Sequence, residues 1–400
     1  MIEPFSSQQR RQPRSFLAAY ALAWAGGLIA YTPFLTVLLP IRFSVLAGGG
    51  DVAWLALCAT IGAIAAGLSN IVWGWASDRW PAGPNRARLR WTMAGLAATA
   101  GGMAAIVAAR HPATLLMAVA CWQVGLNLLL APLSAYAADS VGDEQKGVLG
   151  GFLSFAPALS AVSVIGVAAV GGGFERQMGL IFLIVAGMML PLLLRGHARA
   201  FGQAEATPDR HDRALDRRIL WRLWLSRLFV QVAEGLLFLF IYYFLRSVSG
   251  GALSLGEYAW TNAIVQILAI PVALAMGRLS DRYQRRKAPL LAMIGLIMIG
   301  LAGMALAHSW LLVVCCYGIF LSGSNSFLAL HSAFAMQQLP DRRHFGRDLG
   351  LFNLTNTLPS LISPLLAAVV IGQLGYQSLL MILAALMLVP ALLLSRLAIR

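Results

Sequence analysis

One carboxylate deep in a long apolar run is the best-placed group in this 400-residue chain to do chemistry. Glu234 lies about 15 residues into the run 219–245, roughly 22 Å at 1.5 Å per residue. Of the 16 acidic residues, it alone sits deep inside such a run. A charge in hydrocarbon costs roughly 2.5–3.5 kcal/mol on insertion scales, so an acid kept there is a functional candidate by default. Arg227 and Gln231 precede it at i−7 and i−3. Seven residues turn a helix through about 700°, nearly two full turns, so the three share one face. Such a stripe can take up and release a proton. An apolar setting favours the neutral acid, and a nearby guanidinium favours the carboxylate. Glu234 is therefore the expected proton-coupling residue, with Gln231 beside it and Arg227 or a substrate group stabilising the ionised form. Two alternatives stay open: a structural contact of Glu234 that locks neighbouring helices, and an Arg227 that snorkels to the interface. His331 can titrate near neutral pH and joins the proton-coupling candidates, with a bonded structural role as its alternative.

These residues need elements to hold them. The chain is 59% hydrophobic and 12% charged, with a mean hydropathy of +0.74. A soluble domain carries about 45–50% apolar and about 25% charged residues. The excess points to a bilayer as solvent. Apolar runs fall at 16–39, 52–77, 91–109, 113–138, 148–171, 178–195, 219–245, 257–277, 288–307, 310–338, 349–373 and 376–395. Each is long enough, or nearly so, to cross about 30 Å of hydrocarbon as a helix. No run is followed by a cleavage pattern, so the first is read as a span and not as a signal.

Lys and Arg set the orientation. With the N-terminus inside, the outer connections hold only Arg42, Arg110, Arg176 and Arg246, and Arg222 and Arg227 fall within span 7. All other cations lie in inner connections or, as Arg195 does, at the inner end of a span, so the net charge of +14 reads as a cytoplasmic bias. No basic-aromatic module stands outside the spans, which excludes nucleic acid as the partner. Residues 1–15 read as a cytoplasmic tail, 16–195 as one six-helix bundle, 196–218 as a charged cytoplasmic linker and 219–400 as a second bundle. Cys58, Cys121, Cys315 and Cys316 all lie in apolar runs without metal-ligand spacing. No metal and no cofactor is expected. No nucleophile–base pair or nucleotide-phosphate loop appears in the connections, so neither an enzyme nor an ATP-driven pump is expected.

A repeat ties the halves together. Gly74-Trp75-Ala76-Ser77-Asp78-Arg79 ends span 2, and Gly277-Arg278-Leu279-Ser280-Asp281-Arg282 ends span 8. Both read G-x-x-S-D-R. Glycine at a helix end admits a close neighbour, and the aspartate can cap a neighbouring helix or pair with an arginine. A second echo lies elsewhere. The charged turn Asp143-Glu144-Gln145-Lys146-Gly147 is followed by Gly151, and Asp341-Arg342-Arg343-His344-Phe345-Gly346 by Gly350.

G-x-x-S-D-R with Arg285-Arg286-Lys287 after it closely resembles the loop signature of the major facilitator superfamily. That signature lies between helices 2 and 3 and again between 8 and 9. The resemblance covers nearly the whole chain. It implies an all-α integral membrane fold, with 12 transmembrane helices in two pseudo-symmetric six-helix bundles around a central cavity, and alternating access. Gly74, Asp78, Arg79, Gly277, Asp281, Arg282, Arg285 and Arg286 match its gating motif. In the first copy Trp80-Pro81-Ala82-Gly83-Pro84-Asn85 delays the basic cluster Arg86-Ala87-Arg88, a spacing similar to the sugar and glycoside–cation symporter branches. Gly346-Arg347-Asp348-Leu349-Gly350-Leu351-Phe352-Asn353 also looks like bacterial members of that group. Phe155-Ala156-Pro157-Ala158 stands where many proton-driven exporters carry Gly-Pro.

In this architecture helices 1, 4, 7 and 10 line the cavity. The implied substrate-binding set is then Tyr20, Trp24 and Tyr31 on helix 1, Gln123 and Asn127 on helix 4, Gln231 on helix 7 and Asn325 on helix 10. Asn353 and Asn356 are added from helix 11. Amides beside rings suit a polyol; taken singly, each also suits interhelical bonding. The expected function is secondary transport, as proton-coupled symport of a small polar organic solute such as a sugar or glycoside. The alternatives are a proton antiporter exporting an amphipathic compound and a non-transporting assembly or receptor protein. Expected partners are the solute, a proton or Na+ and the bilayer. The expected setting is a monomer in a bacterial inner membrane, with both termini cytoplasmic.

Overall fold

A computed structural model describes residues 12–47, 51–79, 84–142, 145–170, 172–195, 210–283, 287–338 and 345–397. The tail 1–11, the linker stretch 196–209, and Arg285 and Arg286 lie outside the described residues, as do the side chains of Asp281 and Arg282. The described residues form helices and no strand. They are α1 Arg14–Ala47, α2 Asp51–Asp78, α3 Pro84–Ala108, α4 Pro112–Ser140, α5 Lys146–Ala169, α6 Phe174–Arg195 and α7 Arg210–Val248. Then follow α8 Leu255–Tyr283, α9 Lys287–Leu306 and α10 Trp310–Gln338. The helix Phe345–Leu386 breaks at Gly375, whose φ of 78° and ψ of 175° suit only glycine, giving α11 at 345–374 and α12 at 376–395. By length and composition, ten described helices can cross a membrane, or eleven if α7, bent by 53° after Phe238, is one span. α11 is a further long helix, at the place of the eleventh apolar run.

The helices overrun the apolar runs at their ends. α1 reaches Ala47 through a π-turn over Phe34–Leu38 that follows Pro33. That turn follows directly on the break that proline makes in the i→i−4 ladder. α7 begins at Arg210, inside the stretch read as linker. Hydrophobicity marks where a helix enters hydrocarbon, not where its hydrogen bonding stops, and Ala214, Leu215 and the arginines there are good helix formers.

Each half has its own apolar core. One is built around Trp122, Tyr136, Phe34 and Phe43, the other around Phe320, Phe327, Phe334 and Leu301. Many large apolar side chains face outward, among them Leu68, Leu183, Leu268 and Leu311. That surface is the one a bilayer covers. Glycine contacts repeat between the halves. A Cβ on Gly95 of α3 would fall 2.2 Å from Leu129 N of α4, and one on Gly300 of α9 would fall 2.6 Å from Phe320 N of α10.

The halves meet at the end that carries the repeated motifs, here called the motif end. Gly74 of α2 packs on Gly346 of α11, where a Cβ would fall 2.1 Å from the carbonyl oxygen. Gly277 of α8 packs on Gly147 of α5, with the matching distance 2.7 Å. Gly350 lies against Ile71 and Gly151 against Leu274. The two sequence repeats are thus the two sides of one interface, used twice. Lys146 Nζ adds a bond across it to the Met336 carbonyl at 3.2 Å.

Gly74→Ala is expected to lower the thermal midpoint of the detergent-solubilised protein by several degrees, because overpacking against backbone costs about 1–3 kcal/mol. Gly101→Ala, where an added Cβ meets nothing within 4 Å, is expected to leave it unchanged or raise it. Intrinsic tryptophan fluorescence on heating reads both.

Candidate functional site

Two polar clusters stand out from the apolar packing. The first lies at the motif end. Asp78, the last residue of α2, receives the backbone N–H of Gly346 on Oδ1 at 2.8 Å and that of Arg347 on Oδ2 at 2.9 Å. These are unpaired donors in the first turn of α11, where the helix dipole also favours an anion. Arg88 of α3 donates to Asp78 Oδ1 at 2.6 Å, to Asp139 Oδ2 of α4 at 3.1 Å and to the Ser77 hydroxyl. Arg88, Asp78 and Asp139 are all buried. Asp78 thus does both things open to it at once: it caps a neighbouring helix and pairs with an arginine. Arg79 is exposed and lies over the Trp75 ring, 3.6 Å from its centroid. Asp139 was not singled out from the sequence, because an acid at the end of a span is indistinguishable there from an ordinary loop charge.

The second cluster is built on α7. Arg227 Nε donates to Thr355 Oγ1 of α11 at 3.0 Å, Nη1 to Ser332 Oγ of α10 at 2.7 Å, and Nη2 to Asn356 Oδ1 of α11 at 3.3 Å. Gln231 Nε2 donates to the same Asn356 oxygen at 2.5 Å, and Asn356 Nδ2 donates to Asn353 Oδ1. Arg227, Gln231 and Asn353 are half-buried, and Asn356 is exposed. Glu234 is half-buried further along the same face. Arg227, Tyr31 of α1 and Tyr317 of α10 are near enough for charge interaction with it, and Ser324 sits beside it. No ion pair joins Arg227 to Glu234; the guanidinium is held by neutral oxygens of α10 and α11 instead. Ser324 Oγ is buried and has no partner in hydrogen-bond geometry. Thr355 and Ser332 were not singled out from the sequence. Thr355 lies between Asn353 and Asn356, and Ser332 adjoins His331, so the neighbours flagged each turn without specifying the contact.

The other candidates take no part in these bonds, though His331 lies near Arg227. Tyr20 is buried and donates to the Leu133 carbonyl at 3.1 Å, tying α1 to α4. Asn127 accepts from Asn70 Nδ2 at 2.8 Å, and Gln123 of the same helix is buried against Gly62, so both face α2. Asn325 donates to Gln266 Oε1 of α8 at 2.7 Å. His331 is fully buried between Phe327 and Phe352, its Nε2 2.9 Å from the Leu223 carbonyl. Trp24 is half-buried on α1.

Residues 223–399 match the family model described as Major Facilitator Superfamily. Among solved structures, the chain is similar to the human organic anion transporter MFSD10 (TETRAN), at 16% identity and a TM-score of 0.77. That match covers 96% of this chain and 100% of the other. It is also similar to a bacterial homologue of the iron transporter ferroportin in the outward-facing state. There the identity is 16% and the TM-score 0.73, over 96% of this chain and 98% of the other. The same homologue with soaked iron gives 15% and 0.69, over 97% and 99%. At these identities the likeness is one of fold. No curated protein sequence matches the chain.

Asp78→Ala removes an acceptor shared by two helix-terminal N–H groups and a buried guanidinium. Loss of one partner of a buried pair costs about 3–5 kcal/mol. In a cysteine-free background, spin labels at the exposed positions Val72 and Leu279 are expected to move apart in the variant, read as a longer distance by electron–electron double resonance. An unchanged distance would show that Asp78 does not hold this end closed.

Proposed function

We propose that the chain is a member of the major facilitator superfamily, whose family model matches residues 223–399, and that it is a secondary transporter working by alternating access between its two bundles. The coupled process is symport of a proton with a small polar organic solute, of which a sugar or glycoside is the starting candidate. The motif end is cytoplasmic, in line with the Lys and Arg bias of the connections, and both termini lie on that side of a bacterial inner membrane.

The observation that carries this reading is the α7 stripe. An acid, an amide and a guanidinium lie along one helix face, bonded to or beside groups of α1, α10 and α11. Solute bound among Gln231, Asn353 and Asn356 would sit next to the proton carrier Glu234. The latch at Asp78 supports the gating half of the reading. Its two bonds to the α11 backbone span the bundle interface, so they exist only while that end is closed. A closed motif end also agrees with the outward-facing state of the bacterial ferroportin homologue, whose fold this chain resembles.

Purified protein in liposomes with a pH-sensitive dye inside tests it. A solute that acidifies the lumen with wild type and fails to do so with Glu234→Gln is the expected result, with solute binding kept and coupled uptake lowered about a hundredfold or more. Equal acidification in both would remove Glu234 from the coupling. Proton movement outward as solute enters would replace symport by exchange.

A further inference from the structure

Arg227 is a fixed cation among α7, α10 and α11 of the second bundle, and its named bonds all go to neutral oxygens, those of Thr355, Ser332 and Asn356. Neutral dipoles solvate a guanidinium, but they do not cancel its charge, and an uncompensated charge at membrane depth is costly. Among the described residues no carboxylate pairs with it. The acid on its own face, Glu234, is seven residues on, about 10 Å along the helix. The other titratable groups facing the pair are Tyr31 of α1, and Tyr317 and His331 of α10. The tyrosines carry no charge near neutral pH, and His331 is occupied with the Leu223 carbonyl. Among the described residues no carboxylate therefore touches Arg227, Glu234 acting on it only across space, and the amides of Gln231 and Asn356 beside it leave a polar, partly open surface.

From this we infer that the transported solute is a small polar monoanion whose carboxylate binds at Arg227, and that one proton on Glu234 travels with it. This rests on the symport reading above. A carboxylate is the planar acceptor that a guanidinium binds with two parallel bonds. Charge accounting then supplies the coupling. Empty, the site holds one positive arginine and one negative glutamate and is neutral overall. Fully loaded, it holds the arginine, the anion and a protonated glutamate, and is neutral again. With solute alone it is negative, and with the proton alone it is positive. The half-loaded forms must carry net charge through a low-dielectric barrier, so the two neutral forms interconvert and the others are held back. The transport cycle is electroneutral, with one anion moving per proton.

The test uses full-length protein in liposomes, with a pH dye inside and the membrane potential set by potassium and valinomycin. The probes are glucuronate, gluconate and lactate against glucose and methyl glucoside, with protein-free liposomes subtracted. At least one acid is expected to acidify the lumen, at a rate unaffected by the potential, while the neutral sugars do not. Arg227→Gln should weaken that acid by about thirtyfold or more, and Arg227→Lys should restore part of the loss. Gel filtration and thermal midpoints separate a lost charge from a lost fold. Proton entry driven by glucose or methyl glucoside, and not by the acids, overturns the inference and leaves symport standing. Acid-driven entry that speeds up with a negative interior overturns electroneutrality. Radiolabelled acid entering without acidification overturns the paired proton and the symport reading together. No response to any acid also overturns the inference, and the neutral sugars in the same vesicles then decide whether symport survives.

Discussion

The closed motif end depends on helices touching backbone to backbone. Gly74 on Gly346, and Gly277 on Gly147, leave no room for a side-chain carbon. Only at that separation can the short Asp78 side chain reach two N–H groups of the first turn of α11 while also meeting Arg88. Sterics thus set the electrostatics. A single added methyl group would push the helices apart, and an aspartate has no length to spare. The arrangement also explains why the contact is made at helix ends. Unpaired donors are found only there, and a helix held at its end can tilt about that point as a rigid body.

α11 carries both polar clusters. Its first turn is held by Asp78, and Thr355 and Asn356, about 15 Å further along at most, hold Arg227 of α7. A helix is stiff over that distance, so a shift at one cluster displaces the other. Arg227 also reaches α10 through Ser332. Three helices of the second bundle therefore converge on one guanidinium, while α2 of the first bundle grips the end of one of them. The physical link between the interface and the α7 stripe is a rod with a polar joint at each position, and no wire of side chains is needed.

Much of this was readable in the sequence because it follows from period and composition. The apolar runs placed the helices, and 3.6 residues per turn placed Arg227, Gln231 and Glu234 on one face. The paired glycines stood out because the same phrases recur in each half. That the two phrases meet each other was not readable, since adjacency of α2 with α11 and of α5 with α8 is a tertiary fact. The partners of Arg227 were hidden for the same reason. An arginine seven residues before a glutamate suggests an ion pair, yet the register of α10 and α11 presents closer oxygens. Tyr20 and His331 show a further limit. A ring in a helix looks the same in sequence whether its polar atom meets a cavity or a backbone carbonyl, and here both meet carbonyls.

Gln12 ties the entry to α1 to the far end of α4. Gln12 and Gln145 form a reciprocal amide clasp, with Gln12 N donating to the Gln145 side chain at 2.7 Å and Gln145 Nε2 donating back to the Gln12 carbonyl at 3.0 Å. Gln12 Nε2 also donates to the Ser140 carbonyl at the end of α4. Gln145 is the residue that precedes α5, whose first turn holds Gly147 and Lys146, both in contact with the opposite bundle. Gln12 is thereby moored to the facing ends of α4 and α5, so a load carried there reaches one of the two seams between the bundles.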